Sequence, residues 1–329
     1  MPLLDVNQLK TYYTTMRGQV KAVDGVSFQV ETSEATGLAG ESGCGKTTVA
    51  TSLLRILPFN GKIVGGNIFY KSSVDIAAMD EEDLRNNIRW KEISIVFQGA
   101  MNAMNPVYKV GDQIVEAITL HEPNVNKREA WERSQKLMEL VGVEPSRVNN
   151  YPHEFSGGMK QRAMIAMALA SNPSLLIADE PATALDVIVA AQVLKLLREL
   201  KKKLSLGMIL ITHDLSIIAE LCEKSAIMYA GKIAEYGDVV TVFKDPMHPY
   251  TQGLMGSFPA ITAKERMKMV SIPGTPPDLL NPPPGCRFHP RCKFAKPVCK
   301  KDDPPYTELE KGHFVSCHMA VALHEGKNW

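Results

Sequence analysis

The chain has no apolar stretch approaching the roughly twenty residues that a bilayer-crossing helix needs, which excludes a helical membrane span of the ordinary kind. It also lacks a dominant charge. Thirty-seven basic residues stand against 36 acidic ones, a formal +1, so no global basic field invites nucleic acid. Lys201-Lys202-Lys203 is the tight basic run, and it closes a predicted helix, where cations favour the negative end of the dipole. The opening Met1-Pro2-Leu3-Leu4-Asp5 lacks the charged-then-apolar order of a secretion signal. An intracellular chain is therefore expected, and its six cysteines are not expected to form disulfides. No internal repeat is visible, so any site is expected once per chain. The 329 residues, 45% of them hydrophobic, suffice for one large α/β domain plus an appendage.

Against these absences, two segments carry recognisable chemistry. Gly40-Glu41-Ser42-Gly43-Cys44-Gly45-Lys46-Thr47 fits G-x-x-x-x-G-K-[ST], a phosphate-binding loop. Gly40, Gly43 and Gly45 allow the backbone to turn successive N–H groups inward, around phosphate oxygens that also meet Ser42, Cys44 and Thr48. Lys46 adds charge at the β- and γ-phosphates, and the Thr47 hydroxyl is placed for Mg²⁺. Residues 34–39 read as a strand feeding the loop, and 48–56 as a helix whose N-terminal dipole faces the anion. The second segment, Leu175-Leu176-Ile177-Ala178-Asp179-Glu180, is an apolar run suited to a central parallel strand, ending in two carboxylates. Asp179 would hold Mg²⁺ through water, and Glu180 would polarise the attacking water. Thr212-His213-Asp214 follows another apolar strand, 208–211, so His213 is a candidate either for γ-phosphate contact or for ordering Glu180.

Along the chain, β-branched stretches such as 20–30 predict an antiparallel edge sheet, and 93–97 a strand that delivers Gln98. Apolar spacing near 3.6 predicts helices over 110–120 and 127–140, within an insert that separates Gln98 from Ser156. Residues 159–170 read as a buried helix and 188–203 and 216–222 as further helices. Strands over 225–229 and 232–236 flank Ala230-Gly231, a two-residue hairpin candidate. Composition shifts after about residue 256. Between Pro273 and Pro290 seven prolines exclude regular helix or central strand, and this segment is expected to be held by something other than a hydrophobic core.

With these motifs in view, the chain resembles the ATP-binding subunits of ABC transporters. Phe155-Ser156-Gly157-Gly158-Met159 matches the family's signature, with methionine where glutamine is usual, and Thr183-Ala184-Leu185-Asp186 matches the loop after the catalytic glutamate. The resemblance spans about 3–255. Phe97-Gln98-Gly99-Ala100-Met101-Asn102, Tyr151-Pro152-His153-Glu154, His248-Pro249-Tyr250-Thr251 and Cys286-Arg287-Phe288-His289-Pro290-Arg291-Cys292 narrow it to the oligopeptide/dipeptide importer branch.

The resemblance implies an α/β fold: an ABC-type P-loop ATPase domain over 1–255 with a mixed sheet, an antiparallel β edge and a helical subdomain at about 99–160. A Pro/Cys-rich extension over 256–329 would follow. It implies two subunits head to tail, each ATP held by the phosphate loop of one and Ser156-Gly157-Gly158 of the other, with Asp186 beside it. Gln98 would sense the γ-phosphate or Mg²⁺, and Tyr13, or Tyr12, would stack on adenine. Implied partners are a second ATPase subunit, as homo- or heterodimer, two transmembrane permease subunits and an extracellular solute-binding protein, with the chain peripheral on the cytoplasmic face of the membrane. Import of di- or oligopeptides is the expected work; sugar or metal import is the alternative within the branch.

A soluble non-transport ABC ATPase is the rival outside it. Repair types interrupt the ATPase with long coiled coils, which 98–156 lacks, and ribosome-associated types carry two ATPase units per chain.

The tail holds Cys286-x5-Cys292-x6-Cys299-x17-Cys317. Structural zinc favours cysteine pairs two to four residues apart, whereas iron–sulfur clusters accept looser spacing. The resemblance implies a [4Fe–4S] cluster on these four cysteines; Zn²⁺ or free thiols are the alternatives, with His289, His313 and His318 as nearby substitute ligands.

Overall fold

A computed structural model describes residues 1–99, 103–256 and 272–329. Ala100, Met101 and Asn102 of the resemblance lie outside the described residues. In chain order the main elements are β1 (Leu4–Thr15), β2 (Gly18–Val30), β3 (Ala35–Ala39), α1 (Lys46–Leu53), β4 (Gly61–Tyr70), β5 (Val74–Asp75) and β6 (Ile93–Val96). They continue with α2 (Val110–His121), α3 (Lys127–Leu140), α4 (Gly157–Ala168), β7 (Leu175–Asp179), α5 (Val187–Leu204), β8 (Gly207–Ile211) and α6 (Leu215–Leu221). The last part contains β9 (Lys224–Tyr229), β10 (Lys232–Asp238), α7 (Val239–Lys244), α8 (Pro249–Gly256), α9 (Pro297–Lys301), β11 (Thr307–Glu310), β12 (His313–Val315) and α10 (His318–His324). Among the described residues no helix is long and apolar enough to cross a membrane.

The chain divides into two compact units. The first comprises Met1–Leu3, Val30–Ala35 and Tyr70–Ile211. Here β6, β7 and β8 run parallel, Ile93 opposite Leu175 and Leu175 opposite Gly207. Every residue of β7 and β8 is buried, which explains their near-continuous apolar runs. Asn126 caps α3 by accepting the Glu129 N–H. At the far end of α5, Lys202 and Lys203 are exposed as a solvated helix end requires, but Lys201 is buried.

The second unit comprises Leu4–Gln29, Thr36–Phe69 and Thr212–Trp329. β2, β1 and β4 are neighbours in one sheet, and β3, β9, β10, β12 and β11 are neighbours in another. β3 pairs parallel with β9, β10 pairs antiparallel with both β9 and β12, and β11 pairs antiparallel with β12. Ala230 and Gly231 turn the β9–β10 hairpin at φ 47° and 82°, the left-handed pair that a two-residue turn of matching twist requires. The predicted helix over 48–56 is α1, shifted to Lys46–Leu53; it stops because Arg55 goes left-handed at φ 51°.

The tail is tied to the second unit more fully than composition suggests. Arg287 pairs with Asp24 and donates to the Ala230 carbonyl. Burial opposes ionisation of Asp24, yet the Tyr12 hydroxyl and the Arg287 guanidinium hold its carboxyl below the ordinary range. Glu235, fully buried, accepts from the Met247 and His248 N–H groups and meets His313 of β12 at 2.8 Å. The expectation that residues 273–290 dispense with apolar packing needs correction. Phe288 is buried against Tyr229, Tyr250 and His248, and Leu309, Val315, Cys317, Met319 and Ala320 form a small core of their own.

His248 gives this region a pH dependence. Its Nδ1 accepts the Tyr250 N–H at 2.9 Å, and complete burial pushes the imidazole down to about 4. The unfolded chain therefore takes up the proton first as pH falls below about 6.5, so stability present at neutral pH is lost toward pH 4. Between pH 7 and 5 this group removes about 2 kcal/mol of stability. Denaturant unfolding at both pH values is expected to show a shallower pH dependence in His248→Gln; an identical slope refutes the assignment.

Candidate functional site

The phosphate loop lies in the second unit, between β3 and α1. Gly40, Gly43 and Gly45 have φ of 148°, 77° and 107°, conformations that side chains resist. A Cβ at Gly40 would stand 2.1 Å from the Met228 carbonyl oxygen, and one at Gly45 would stand 2.2 Å from that of Ala22. Space around Gly43 is open. Neighbouring backbone thus presses the loop into a curve that only glycine tolerates. Lys46 is buried, its Nζ donating to the Gly40 and Glu41 carbonyls at 2.7 and 3.2 Å. Gly45 caps α1 without a side-chain bond, so the first turn presents backbone N–H groups. Ser42 and Thr47 are exposed, and Thr48 half-buried. Cys44 is buried, and burial pushes its thiol up, which suits packing rather than reactivity.

The two tyrosines separate clearly. Tyr12 donates to Asp24 at 2.6 Å, and burial, then that bond, push its phenol up to about 12. Tyr13 instead reaches the phosphate loop's helix, its hydroxyl 3.2 Å from Thr48 Oγ1, and its ring covers Gly61 so closely that a Cβ there would lie 2.7 Å away. His213, in the same unit, is exposed just past β8.

In the first unit, Asp179 is buried at the end of β7. Glu180 follows in a left-handed conformation, φ 47°, its N–H donating to the Ile211 carbonyl. That unusual angle turns the side chain off the strand line. Its Oε2 accepts from Gln98 Nε2 at 3.0 Å and from Thr183 Oγ1 at 2.9 Å. Two residues singled out separately, Gln98 and Glu180, therefore share a hydrogen bond. Thr183 belongs to the loop motif that follows Glu180, and its place three residues on is the sequence signal for this contact.

The signature forms the start of α4. Ser156 caps it, accepting the Met159 N–H at 3.4 Å, and Ser156 and Gly157 are exposed. Gly158 faces α5, where a Cβ would stand 2.4 Å from Val189 Cγ1. Asp186 caps α5 through the Ile188 and Val189 N–H groups, leaving Val187 and Ile188 exposed beside it.

Cys286, Cys292, Cys299 and Cys317 line one cavity, together with His248, His289 and His318. Burial first, and then their own mutual proximity, push Cys286 up to about 12 and Cys317 to about 11. Among the described residues, no three His, Cys, Asp or Glu gather closely enough to hold a single metal ion. His313 is drawn away to Glu235.

A family model described as ABC transporter matches residues 23–183, and one described as the oligopeptide/dipeptide transporter C-terminal region matches 234–299. The dipeptide transport ATP-binding protein DppD of Caldanaerobacter subterraneus subsp. tengcongensis is 42% identical, with 96% of this chain and 97% of that protein covered. The oligopeptide transport ATP-binding protein OppD of Escherichia coli is 44% identical, with 97% and 94% covered. Among solved structures, the dimeric post-hydrolysis state of the ATP-binding cassette MJ0796 bound to ADP and Pi shares the fold, with a TM-score of 0.63 at 23% identity over 72% of this chain and 98% of that one. The cbiO1 protein of Clostridium perfringens, part of the ABC transporter complex cbiONQ, gives a TM-score of 0.62 at 26% identity over 74% and 91%.

The tight approach of α4 to α5 is testable. Gly158→Ala is expected to lower stability by about 1–3 kcal/mol through overpacking, and Val189→Ala added to it is expected to restore most of the loss in thermal unfolding. Failure of the second change to rescue removes the packing explanation.

Proposed function

The chain belongs to the ABC transporter ATP-binding proteins of the dipeptide/oligopeptide branch, and we propose that it hydrolyses ATP to drive peptide import. The observation that carries this reading is the phosphate loop, whose Gly40 and Gly45 are held against the Met228 and Ala22 carbonyls in a curve that no side chain fits. The names of relatives matched along nearly their whole length support transport over a repair or ribosomal role, and peptides over other solutes.

In this reading, the loop's N–H groups with Ser42, Lys46 and Thr48 bind the ATP phosphates, and the ring of Tyr13 meets adenine. Thr47 and Gln98, with Asp179 through water, would hold Mg²⁺, which supplies charge neutralisation at the phosphates. Glu180 orients and polarises the attacking water, steadied by Gln98 and Thr183, and His213 contacts the γ-phosphate. Ser156, Gly157 and Gly158 offer the start of α4 to ATP on a partner subunit, since a capped helix N-terminus with exposed backbone suits a phosphate; Asp186 fixes the neighbouring helix. ATP then joins two ATPase subunits and hydrolysis parts them. Two transmembrane permease subunits and an extracellular solute-binding protein complete the importer, with this chain on the cytoplasmic face. The division into 1–255 and 256–329 belongs to the same proposal.

We assign the tail cysteines to a [4Fe–4S] cluster in preference to Zn²⁺. Four thiols line a shared cavity, and four cysteine thiolates are the ligand set such a centre takes. Such a centre supplies positive charge that stabilises thiolates otherwise disfavoured by burial, bracing the tail.

Glu180→Gln is expected to lower ATP turnover at least on the order of a hundredfold and to accumulate an ATP-bound dimer by light scattering; turnover near the normal rate refutes its role. Protein purified without oxygen is expected to be brown with about four irons per chain, and colourless zinc-loaded protein overturns the cluster.

A further inference from the structure

The phosphate loop and the cysteine-bearing tail are joined by a side-chain bridge that neither motif reveals. Arg291, one residue before Cys292, places Nη1 2.6 Å and Nη2 2.9 Å from the two carboxylate oxygens of Glu41, the second residue of the phosphate loop. The guanidinium side chain is almost fully buried. It also donates to the Pro273 carbonyl at 2.8 Å and the Tyr229 hydroxyl at 3.3 Å. Two parallel bonds from a planar fork fix orientation as well as distance.

Glu41 in turn sits at the centre of the loop's support. Its carbonyl accepts from Lys46 Nζ, and its N–H donates to the Tyr250 hydroxyl at 3.0 Å. Tyr250 packs on Phe288, three residues before Arg291. On the tail side, a run of turns locks Arg291 in place: His289 N–H donates to Cys286 O, Arg291 N–H to Phe288 O and Cys292 N–H to His289 O. A displacement of the Cys286–Cys292 turn therefore reaches Glu41 through the guanidinium and through the Phe288–Tyr250 contact together.

We propose that Arg291 is a positioning residue for ATP binding, through which the tail's folded state sets the geometry of the phosphate loop. The proposal rests on the nucleotide-binding reading of that loop. It touches no phosphate itself; it acts on the peptide that carries the Lys46 contact. Because coupling between two regions is reciprocal, ATP must also steady the tail.

The test uses the full chain with its tail intact. Arg291→Met is expected to raise the Kd and KM for ATP about tenfold while kcat changes far less. Arg291→Lys, which keeps charge without the fork, should fall between, and the exchange of Arg291→Glu with Glu41→Arg should recover part of the affinity. ATP should slow amide hydrogen exchange over residues 286–299 in the Glu180→Gln background, and this protection should fall markedly when Arg291→Met is added. Should Arg291→Met fail to fold, Glu41→Gln must show the same loss of affinity. Unchanged ATP affinity in a folded Arg291→Met or in Glu41→Gln overturns the proposal, as does exchange over 286–299 that ignores ATP. Lys46→Ala separates the two readings: if it binds ATP normally, the assignment of the loop itself fails.

Discussion

A loop whose curve depends on glycines has few side chains with which to hold itself, Lys46 apart, so most of its support must come from outside. That constraint organises the second unit. Gly40 is pressed on the Met228 carbonyl of β9, and Gly45 on the Ala22 carbonyl of β2. Gly231 N–H donates to the Cys44 carbonyl at 2.8 Å, tying the β9–β10 hairpin to the same loop. The hairpin's left-handed turn therefore matters to a site it does not line. Glycine is required twice over at Gly40 and Gly45, for the backbone angle and for the closeness of neighbouring carbonyls.

The first unit solves a different problem, placing polar groups at the ends of rigid elements. β7 is buried along its length and delivers Asp179 and Glu180 at its end, where a left-handed residue redirects the chain. α4 and α5 begin at Ser156 and Asp186, whose side chains satisfy N–H groups that would otherwise lack partners. Gly158 allows the beginnings of these helices to approach, so one glycine serves packing while its neighbours Ser156 and Gly157 remain open to solvent. Buried strands give precision, and capped helix starts give exposed donors.

Much of this was legible because it is local. The spacing over 127–140 predicts α3 with its observed bounds, and Ala230-Gly231 announces its own turn chemistry. The phosphate loop and the acidic strand are motifs whose residues are close in sequence. What escaped was non-local. β11 and β12 are four and three residues long, too short for a period to register, and β12 exists through pairing with β10 and β11. The Glu41–Arg291 pair spans 250 positions, and no pattern in either segment signals the other. α1 illustrates a third case: its apolar pattern runs on, but Arg55 leaves the helical region and ends it early.

The tail shows why proline-rich chain can still be specific in structure. Proline removes backbone donors and fixes φ, so such a segment cannot stabilise itself with a ladder of hydrogen bonds. Its order has to come from side chains. Arg287 and Arg291 bring two nearly buried guanidinium groups to Asp24 and Glu41. Burying charges is unfavourable unless each is paired and its remaining donors are met. Both arginines are paired and also donate to backbone carbonyls, those of Ala230 and Pro273. Removing either carboxylate would leave a desolvated cation, so these pairs penalise any alternative placement of the tail more strongly than they stabilise the right one. Specificity of docking, rather than gross stability, is what two arginines add to the modest apolar packing of this segment, and it is that specificity which delivers the four cysteines to one cavity.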